Sequence, residues 1–390
     1  MPAGQPVAGG PTTGGDAFLN INSWQVWWQL NHPRYVGLAG DTKDADRRDV
    51  AMPALVAALR DDQDSDVLSA SLIALGKVAV DHPNLDVLAA LRAHLPDGNQ
   101  DVREAAILAL GLSGIRAAAP DLASLLHDER PGRKLIERSK VGERARTFAA
   151  YSLGLLAQRT DDPDAADAAL AALLLALDDK GLRVEDVLTG VLNGVRLLAA
   201  IAIGLGLAGA DSAADTLREI ALETKSEVHK GHLLVGLAML DDKQAATIAE
   251  GGMTTVRNAV YMGHCALALA ELGRRGASTL AVDRLQNTPN TRGFLTWLGA
   301  SAQSIGHLKN ARDLPALVET LQSRTARKSS SRRRSVASVG RLRAAITAAA
   351  MGSVADRDPL GFGARIADGM NYTMREQTLS NGKNGVLDIF

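Results

Sequence analysis

The chain of 390 residues carries 43 Lys and Arg against 44 Asp and Glu, so its net charge of −1 predicts no strong overall attraction to polyanions. Apolar residues make up 46% and aromatic residues only 3%, a composition typical of close-packed helices and unlike that of a β-sandwich or barrel. The single cysteine, Cys265, excludes an intrachain disulfide and any metal site built of cysteines alone. No apolar run reaches the roughly 20 residues that span a bilayer, and the N-terminus lacks the basic start and apolar stretch of a signal peptide.

The N-terminal part divides into two segments. Residues 1–16 are rich in Pro, Gly and Thr, which predicts a disordered tail. Residues 17–48 contain Trp24, Trp27 and Trp28, whose i, i+3, i+4 spacing after a candidate N-cap at Ser23 places the three rings on one side of a short helix. We interpret this segment as a cap over the open end of the next structural unit; the alternative is an exposed aromatic patch that binds a peptide or a partner helix.

A first repeated phrase recurs at long intervals. "PALVAALRD" begins at Pro53, "PDLASLLHD" at Pro120 and "PALVETLQS" at Pro315, and each has Leu two and six residues after the Pro. Pro suits the first turn of a helix, and Leu at this spacing forms one apolar face. Each phrase therefore predicts the first helix of a repeat.

A second phrase follows. "REAAILALG", "RTFAAYSLG" and "RLLAAIAIG" end at Gly111, Gly154 and Gly204, each with an Arg eight residues earlier. Those arginines are Arg103, Arg146 and Arg196. Looser copies end at Gly76, Gly236, Gly273, Gly306 and Gly352. The phrase predicts a second helix that stops at the glycine, which takes the left-handed conformation without strain.

Because one such hairpin cannot bury its apolar face alone, stacking of about eight hairpins over residues 49–352 is predicted. The alternating "P-x-L-x-x-x-L" and "R-x-x-A-A-x-x-L-G" phrases resemble the HEAT-repeat α-solenoids of bacteria, of the phycobilisome-lyase type. This resemblance implies an all-α fold, a right-handed α-solenoid superhelix of about eight HEAT-like helical hairpins. Copies after Gly204 depart from the pattern, since most lack the Arg. Residues 353–390 are interpreted as an irregular C-terminal capping tail.

The "SW-x-x-WW" segment also resembles lead-ins that precede HEAT arrays in some exported bacterial proteins. We therefore expect a cytoplasmic location for the chain as written, and the cell envelope if an export signal is missing from it.

Three repeats carry their extra residues at the same point, between the two helices, at about 127–143, 178–193 and 323–340. Loops at the same point of each repeat emerge on one edge of a solenoid, where binding residues are commonly found. Residues 127–146, which contain the first insertion, have a net charge of +3. The third belongs to a stretch without acidic residues that contains eight cations: Arg324, Arg327, Lys328, Arg332, Arg333, Arg334, Arg341 and Arg343.

This basic stretch, and the Trp segment, hold the candidate partner-binding residues. They are Arg327, Lys328, Arg332, Arg333, Arg334, Trp24, Trp27 and Trp28. The stretch is interpreted either as a solvated loop or as a site for phosphates, acidic peptides or the acidic body of a second copy. The recurring arginines are expected to pair with an acidic side chain of an adjacent repeat, such as Asp101 or Glu143; the alternative is a ladder facing a ligand.

Motifs of catalysis and of cofactor binding are not convincing. "GLGLAG", residues 204–209, matches G-x-G-x-x-G but follows a predicted helix and not a strand. The histidine pair His229 and His232 has no evident third ligand. We therefore predict no catalytic residue, no cofactor and no metal. The predicted function is a non-enzymatic protein-interaction scaffold with an acidic protein partner and no membrane span. The alternatives are a nucleic-acid-binding HEAT-like protein and a chromophore-lyase or chaperone-like HEAT protein.

Overall fold

The computed structural model describes residues 44–62, 64–79, 84–179, 194–255, 258–288 and 294–325, together with 343–344, 346–348, 350–351 and 354. Within these ranges every regular element is a helix, which confirms the predicted all-α class. None of the helices described there is both long and apolar enough to cross a membrane. The predicted tail 1–16, almost all of segment 17–48 and nearly all of the tail 353–390 lie outside the described residues.

The described α-helices follow one another along the chain. They are α1 (Asp44–Asp61), α2 (Ser65–Val78), α3 (Val87–Arg92), α4 (Gln100–Ser113), α5 (Ala119–Leu126), α6 (Arg130–Leu135), α7 (Glu143–Arg159), α8 (Pro163–Asp178), α9 (Gly194–Leu207), α10 (Ala214–Glu223), α11 (Glu227–Met239), α12 (Lys243–Thr255), α13 (Ala259–Glu271), α14 (Ser278–Asn287), α15 (Phe294–Leu308) and α16 (Leu314–Thr325). Four single-turn 3₁₀ helices precede α5, α10, α14 and α16.

Successive helices form hairpins that stack in file. The second helices of the hairpins, α2, α4, α7, α9, α11, α13 and α15, each pack against the next one along the chain. The first helices, α1, α3, α5, α8, α10, α12 and α14, flank this row, and α16 opens a further hairpin at the end of the described region. The arrangement is the predicted α-solenoid of HEAT-like hairpins.

One continuous core runs along the array from Met52 to Ala350. Helix α4 shows why Ala and Leu dominate the sequence, since every residue from Ala105 to Leu110 is fully buried between neighbouring helices. Small Ala side chains let the helices approach, while each fully buried Leu contributes about 1.5–3 kcal/mol. The first turns are closed by side-chain caps: Asp64 accepts from two backbone N–H groups of α2, and Asp162 accepts from Ala165 at the start of α8.

The recurring glycines have a different role from the one predicted. Gly76, Gly111, Gly154, Gly204, Gly236 and Gly306 lie inside the second helices and do not end them. A Cβ at Gly111 would be 2.4 Å from the carbonyl oxygen of Ser152 on the next second helix, and one at Gly154 would be 2.4 Å from that of Gly204. The absent side chains at Gly111 and Gly154 therefore allow backbone-to-backbone contact between repeats, and the prediction of helix stops is wrong at all six glycines.

The helix stops lie a few residues later. Gly114 follows α4 with φ of +63°, and Gly209 follows α9 with φ of +67°. Gly273, with φ of +69° after α13, is the predicted stop that the structure confirms. The "GLGLAG" motif thus consists of the end of α9 and its turn, which is consistent with rejecting a dinucleotide site.

Ion pairs link successive repeats at the ends of the helices. Arg92 at the end of α3 donates to Asp121 in α5 at 2.6 Å, and Arg116 donates to Asp162 at 2.9 Å. One contact reaches further, because Nη2 of Arg159, the last residue of α7, donates to the carbonyl of Lys77 in α2 at 3.1 Å. Helix α4 lies between these two in the row, so the contact joins repeats that are not neighbours.

Candidate protein-binding surface

All eight residues predicted to bind a partner lie outside the described residues. These are Trp24, Trp27, Trp28, Arg327, Lys328, Arg332, Arg333 and Arg334. Of the eight cations of the basic stretch, the structure describes the side chain of Arg343, which is only 7% exposed. Its guanidinium donates to the carbonyls of Gln286 at 2.8 Å and of Thr288 at 2.5 Å, at the end of α14. Arg343 therefore closes a helix end and does not belong to a basic surface.

The recurring arginines also bind main-chain carbonyls. Nη1 of Arg103 donates to the carbonyl of Asp97, in the turn between α3 and α4, at 2.7 Å. Nε of Arg146 donates, also at 2.7 Å, to the carbonyl of Leu126, the last residue of α5. The last carbonyls of a helix have no intrahelical donor, so a cation there satisfies the hydrogen bond and complements the helix dipole. The predicted acidic partners, Asp101 or Glu143, are wrong for Arg103 and Arg146, and the side chain of Arg196 lies outside the described part.

An ion pair between two repeats does exist, but it is formed by Arg144 and Glu104, which neighbour the predicted residues Glu143 and Arg103 in the sequence. Arg144 at the start of α7 forms a bidentate pair with Glu104 of α4, with Nη2 to Oε2 at 2.9 Å and Nε to Oε1. Gln100 also donates to Glu104 Oε1 at 2.7 Å, and the Glu104 side chain is 2% exposed. This buried carboxylate was missed because nothing in the sequence distinguishes it from a solvent-exposed one.

The first insertion is folded onto the solenoid by Asp128. This residue has φ of +53°, and its carboxylate accepts from Nε and Nη2 of Arg133 at 2.9 and 3.0 Å and from the N–H of Val141 at 2.6 Å. The hydrogen bond from Arg133 holds the pKa of the Asp128 carboxyl below its usual range, against the opposing effect of partial burial. The Asp128 carboxylate therefore stays charged at neutral pH, and its hydrogen bonds join the two ends of the insertion. We call Asp128 with its partners Arg133 and Val141 the Asp128 clip.

The backbone of the insertion is seated directly on helix α5. Gly132 is buried, and a Cβ there would lie 2.4 Å from the carbonyl oxygen of Ser124. Ile136 and Val141 are buried in the core at 2% and 0% exposure. The insertion is thus a packed part of the fold and not a loose loop.

With its apolar residues turned inward, the insertion presents cations to solvent. Arg130, Lys134 and Arg138 are exposed, and the Arg133 side chain is 43% exposed. Together with Glu137 they line a shallow depression of about 430 Å³. We call Arg130, Arg133, Lys134 and Arg138 the basic ledge. The sequence indicated its net positive charge, but its fixed shape depends on Asp128 and Gly132, which sequence reasoning did not single out.

The described aromatic side chains of the array offer little for stacking a nucleic-acid base. Phe148, Tyr151 and Tyr261 are buried. Trp297 is half-buried, and the guanidinium carbon of Arg284 lies 4.8 Å from its ring centroid. That cation–π contact covers one face of the ring.

The histidines of the later repeats are packed residues. Among the described residues no group of three His, Cys, Asp or Glu side chains is placed to hold a metal ion. The rings of His232 and His264 contact each other with centroids 4.2 Å apart and planes tilted by 45°. His264 is fully buried with no hydrogen-bond partner at either ring nitrogen. Burial, with smaller contributions from the nearby His232 and His307, lowers the pKa of His264 well below its usual value, so the ring is neutral at pH 7.

Residues 52–139 match the family model of HEAT repeats, which agrees with this architecture. The complex of CpcE and CpcF of phycocyanin lyase from Nostoc sp. PCC7120 is similar at 19% identity, with a TM-score of 0.43 over 77% of this chain and 93% of that chain. Human deoxyhypusine hydroxylase in complex with glycerol is similar at 14% identity, with a TM-score of 0.33 over 79% of this chain and 98% of that chain. No curated protein matches the sequence. HEAT repeats are thus matched at residues 52–139, and the described helical hairpins stack along the chain as an α-solenoid.

Proposed function

We propose that this chain is a non-enzymatic scaffold that binds an acidic segment of a protein partner on the basic ledge. The observation that supports this most is the clip at Asp128, which holds the insertion in one conformation while its cations face solvent. A binding loop that is already ordered loses less conformational entropy when the partner arrives.

Charge alone would give weak binding at this surface. Exposed ion pairs contribute little to affinity, and Arg133 is already paired with Asp128. We therefore propose that the ledge orients the partner, and that further contacts along the solenoid provide the remaining affinity.

The other candidate binding residues belong to the same proposal on sequence grounds. They are Arg327, Lys328, Arg332, Arg333 and Arg334 of the third insertion, with Trp24, Trp27 and Trp28 of the N-terminal segment. Both the first and third insertions join the first and second helices of a hairpin, and cations at both would extend the basic surface along one edge.

The proposal is tested with a fluorescein-labelled decaglutamate peptide titrated against the full chain at 50 and 200 mM salt. We expect an increase in anisotropy that is larger at low salt, because screening weakens pairs between exposed charges. The triple variant Arg130→Gln, Lys134→Gln and Arg138→Gln should weaken binding at least threefold. A single-stranded DNA of 20 nucleotides provides the comparison, and tighter binding of DNA than of peptide would favour the nucleic-acid alternative instead.

A matched control separates the ledge from overall charge. Lys225, Arg274 and Arg275 are also exposed and lie on other repeats, and changing all three to Gln removes the same number of positive charges. The control should bind decaglutamate with affinity within twofold of the unmodified chain. Equal losses in the two triple variants would mean that the peptide senses only net charge, and the proposed role of the ledge would be wrong.

A further inference from the structure

We propose that the depression on the basic ledge is a phosphoryl-group site, which takes a phosphorylated Ser or Thr side chain of the partner. This inference rests on the proposed function and narrows the chemistry of the segment that the ledge recognises.

The charged groups that line the depression favour an anionic ligand. Its five residues are Arg130, Arg133, Lys134, Glu137 and Arg138, all charged, with a net charge of +3. About 430 Å³ is room for one compact polar group and not for a folded element of a partner. A small group that carries more than one negative charge uses such a concavity best, and a phosphate monoester carries about −1.5 to −2 charges at pH 7 with three strong acceptor oxygens.

Arg133 is held in place before any ligand arrives. Its Nε and Nη2 both donate to Asp128, while its helix is seated on α5 through Gly132. These two bonds fix the rotamer of a guanidinium that lines the depression. A pre-organised arginine presents its donors in a fixed geometry, which a flexible lysine ammonium does not.

The cations around the depression lie close to one another. The guanidinium of Arg103, fixed on the carbonyl of Asp97, is near enough to Arg138 for their charges to repel. The backbone hydrogen bond from Arg138 to the carbonyl of Arg133 keeps Arg138 at the depression. An anion of high charge density relieves this repulsion more than a carboxylate does, because the interaction scales with the charge.

Glu137 limits which polyanions fit. It has φ of +52° and lines the same depression, so one negative charge faces the cations from the rim. A strand of nucleic acid would bring successive phosphates close to the Glu137 carboxylate, which repels them. A single phosphoryl group at the end of a side chain contacts only the cations of the depression. The arrangement therefore favours a phosphorylated protein segment over nucleic acid.

The test uses three nonapeptides that differ only at the central residue, which is Ser, phosphoserine or Glu, titrated against the full chain. Phosphorus NMR follows the phosphoserine resonance directly, and fluorescence anisotropy of labelled peptides compares the three. We expect the phosphopeptide to bind at least tenfold tighter than the Glu peptide. Arg138→Gln should reduce this preference to below threefold, and Arg274→Gln should leave it unchanged.

Each other outcome overturns the inference in a distinct way. Equal affinity of the phosphoserine and Glu peptides would refute a phosphoryl site while leaving a decaglutamate-binding scaffold intact. Competition by inorganic phosphate as strong as by the phosphopeptide would mean a site for the free anion and not for a protein segment. Tighter binding of single-stranded DNA than of the phosphopeptide would assign the ledge to nucleic acid. Loss of both phosphopeptide and decaglutamate binding would refute this inference and the proposed function together.

Discussion

Replacing Gly111 with Ala tests whether the second helices are held together at glycine contacts. A Cβ at this position would lie 2.4 Å from the carbonyl oxygen and 2.6 Å from the Cα of Ser152, and neither atom can move without moving helix α7. Overpacking a core costs about 1–3 kcal/mol, and we expect the upper end because backbone must shift. Ala is about 1 kcal/mol better than Gly inside a helix. The net expectation is a free energy of unfolding lowered by about 2 kcal/mol.

Gly299 is the matched control. It lies inside α15 and is exposed, and a Cβ there would meet no heavy atom within 4 Å. Gly299→Ala should therefore raise the free energy of unfolding by up to about 1 kcal/mol through helix propensity alone. Urea unfolding followed by far-UV circular dichroism compares the two variants, and hydrogen exchange shows whether the loss is centred on α4 and α7. If Gly111→Ala proves as stable as Gly299→Ala, the close contact between repeats does not restrict this position.

Three further predictions concern packing and pH. Arg144→Met leaves the buried Glu104 without its bidentate partner, so the free energy of unfolding should fall by about 3 kcal/mol. This is the low end for a broken buried pair, because Gln100 still donates a hydrogen bond to Glu104. Changing both Arg144 and Glu104 to Leu should recover part of this loss in urea unfolding, and a double variant less stable than Arg144→Met would contradict the reasoning. Gly114→Ala should lower stability by roughly 1–2 kcal/mol because φ is +63°, whereas Gly114→Asn should lose less; equal losses would show that backbone conformation is not the cause. The folded-state pKa of His264 lies below its unfolded value of about 6.5, so the unfolded chain takes up the proton first. This residue should therefore lower the free energy of unfolding by about 1.4 kcal/mol per pH unit as the pH falls below 6.5. His264→Leu should flatten that slope between pH 7.5 and 5, and an unchanged slope would exclude His264 as a source.

The hairpins were predictable because their signals are local. A Pro at the first turn with Leu two and six residues later specifies a helix and its apolar face without reference to any distant residue. The glycines show the limit of such reasoning. Gly111 and Gly273 close similar phrases, yet one touches Ser152 of the next repeat and the other ends a helix with φ of +69°. The difference depends on where the second helix of the next repeat packs, which local propensity does not encode.

The candidate surface was predictable in charge but not in shape. The net charge of the first insertion is visible in its composition, and so is its position between two helices of one repeat. Which cations face solvent depends on Asp128 and Gly132, and on apolar residues such as Ile136 that turn inward. The arginines were also misread, since Arg103 binds a main-chain carbonyl that no residue type reveals.

The hydrogen bond from Arg159 to the carbonyl of Lys77 bears on how the array melts. Repeat proteins are usually described by the intrinsic stability of each unit and its coupling to immediate neighbours. A link between second-nearest units means that fraying of the first hairpin also removes a contact of the third. Unfolding from this end should therefore proceed in blocks of several hairpins, and a truncation that removes one hairpin should weaken protection two units away.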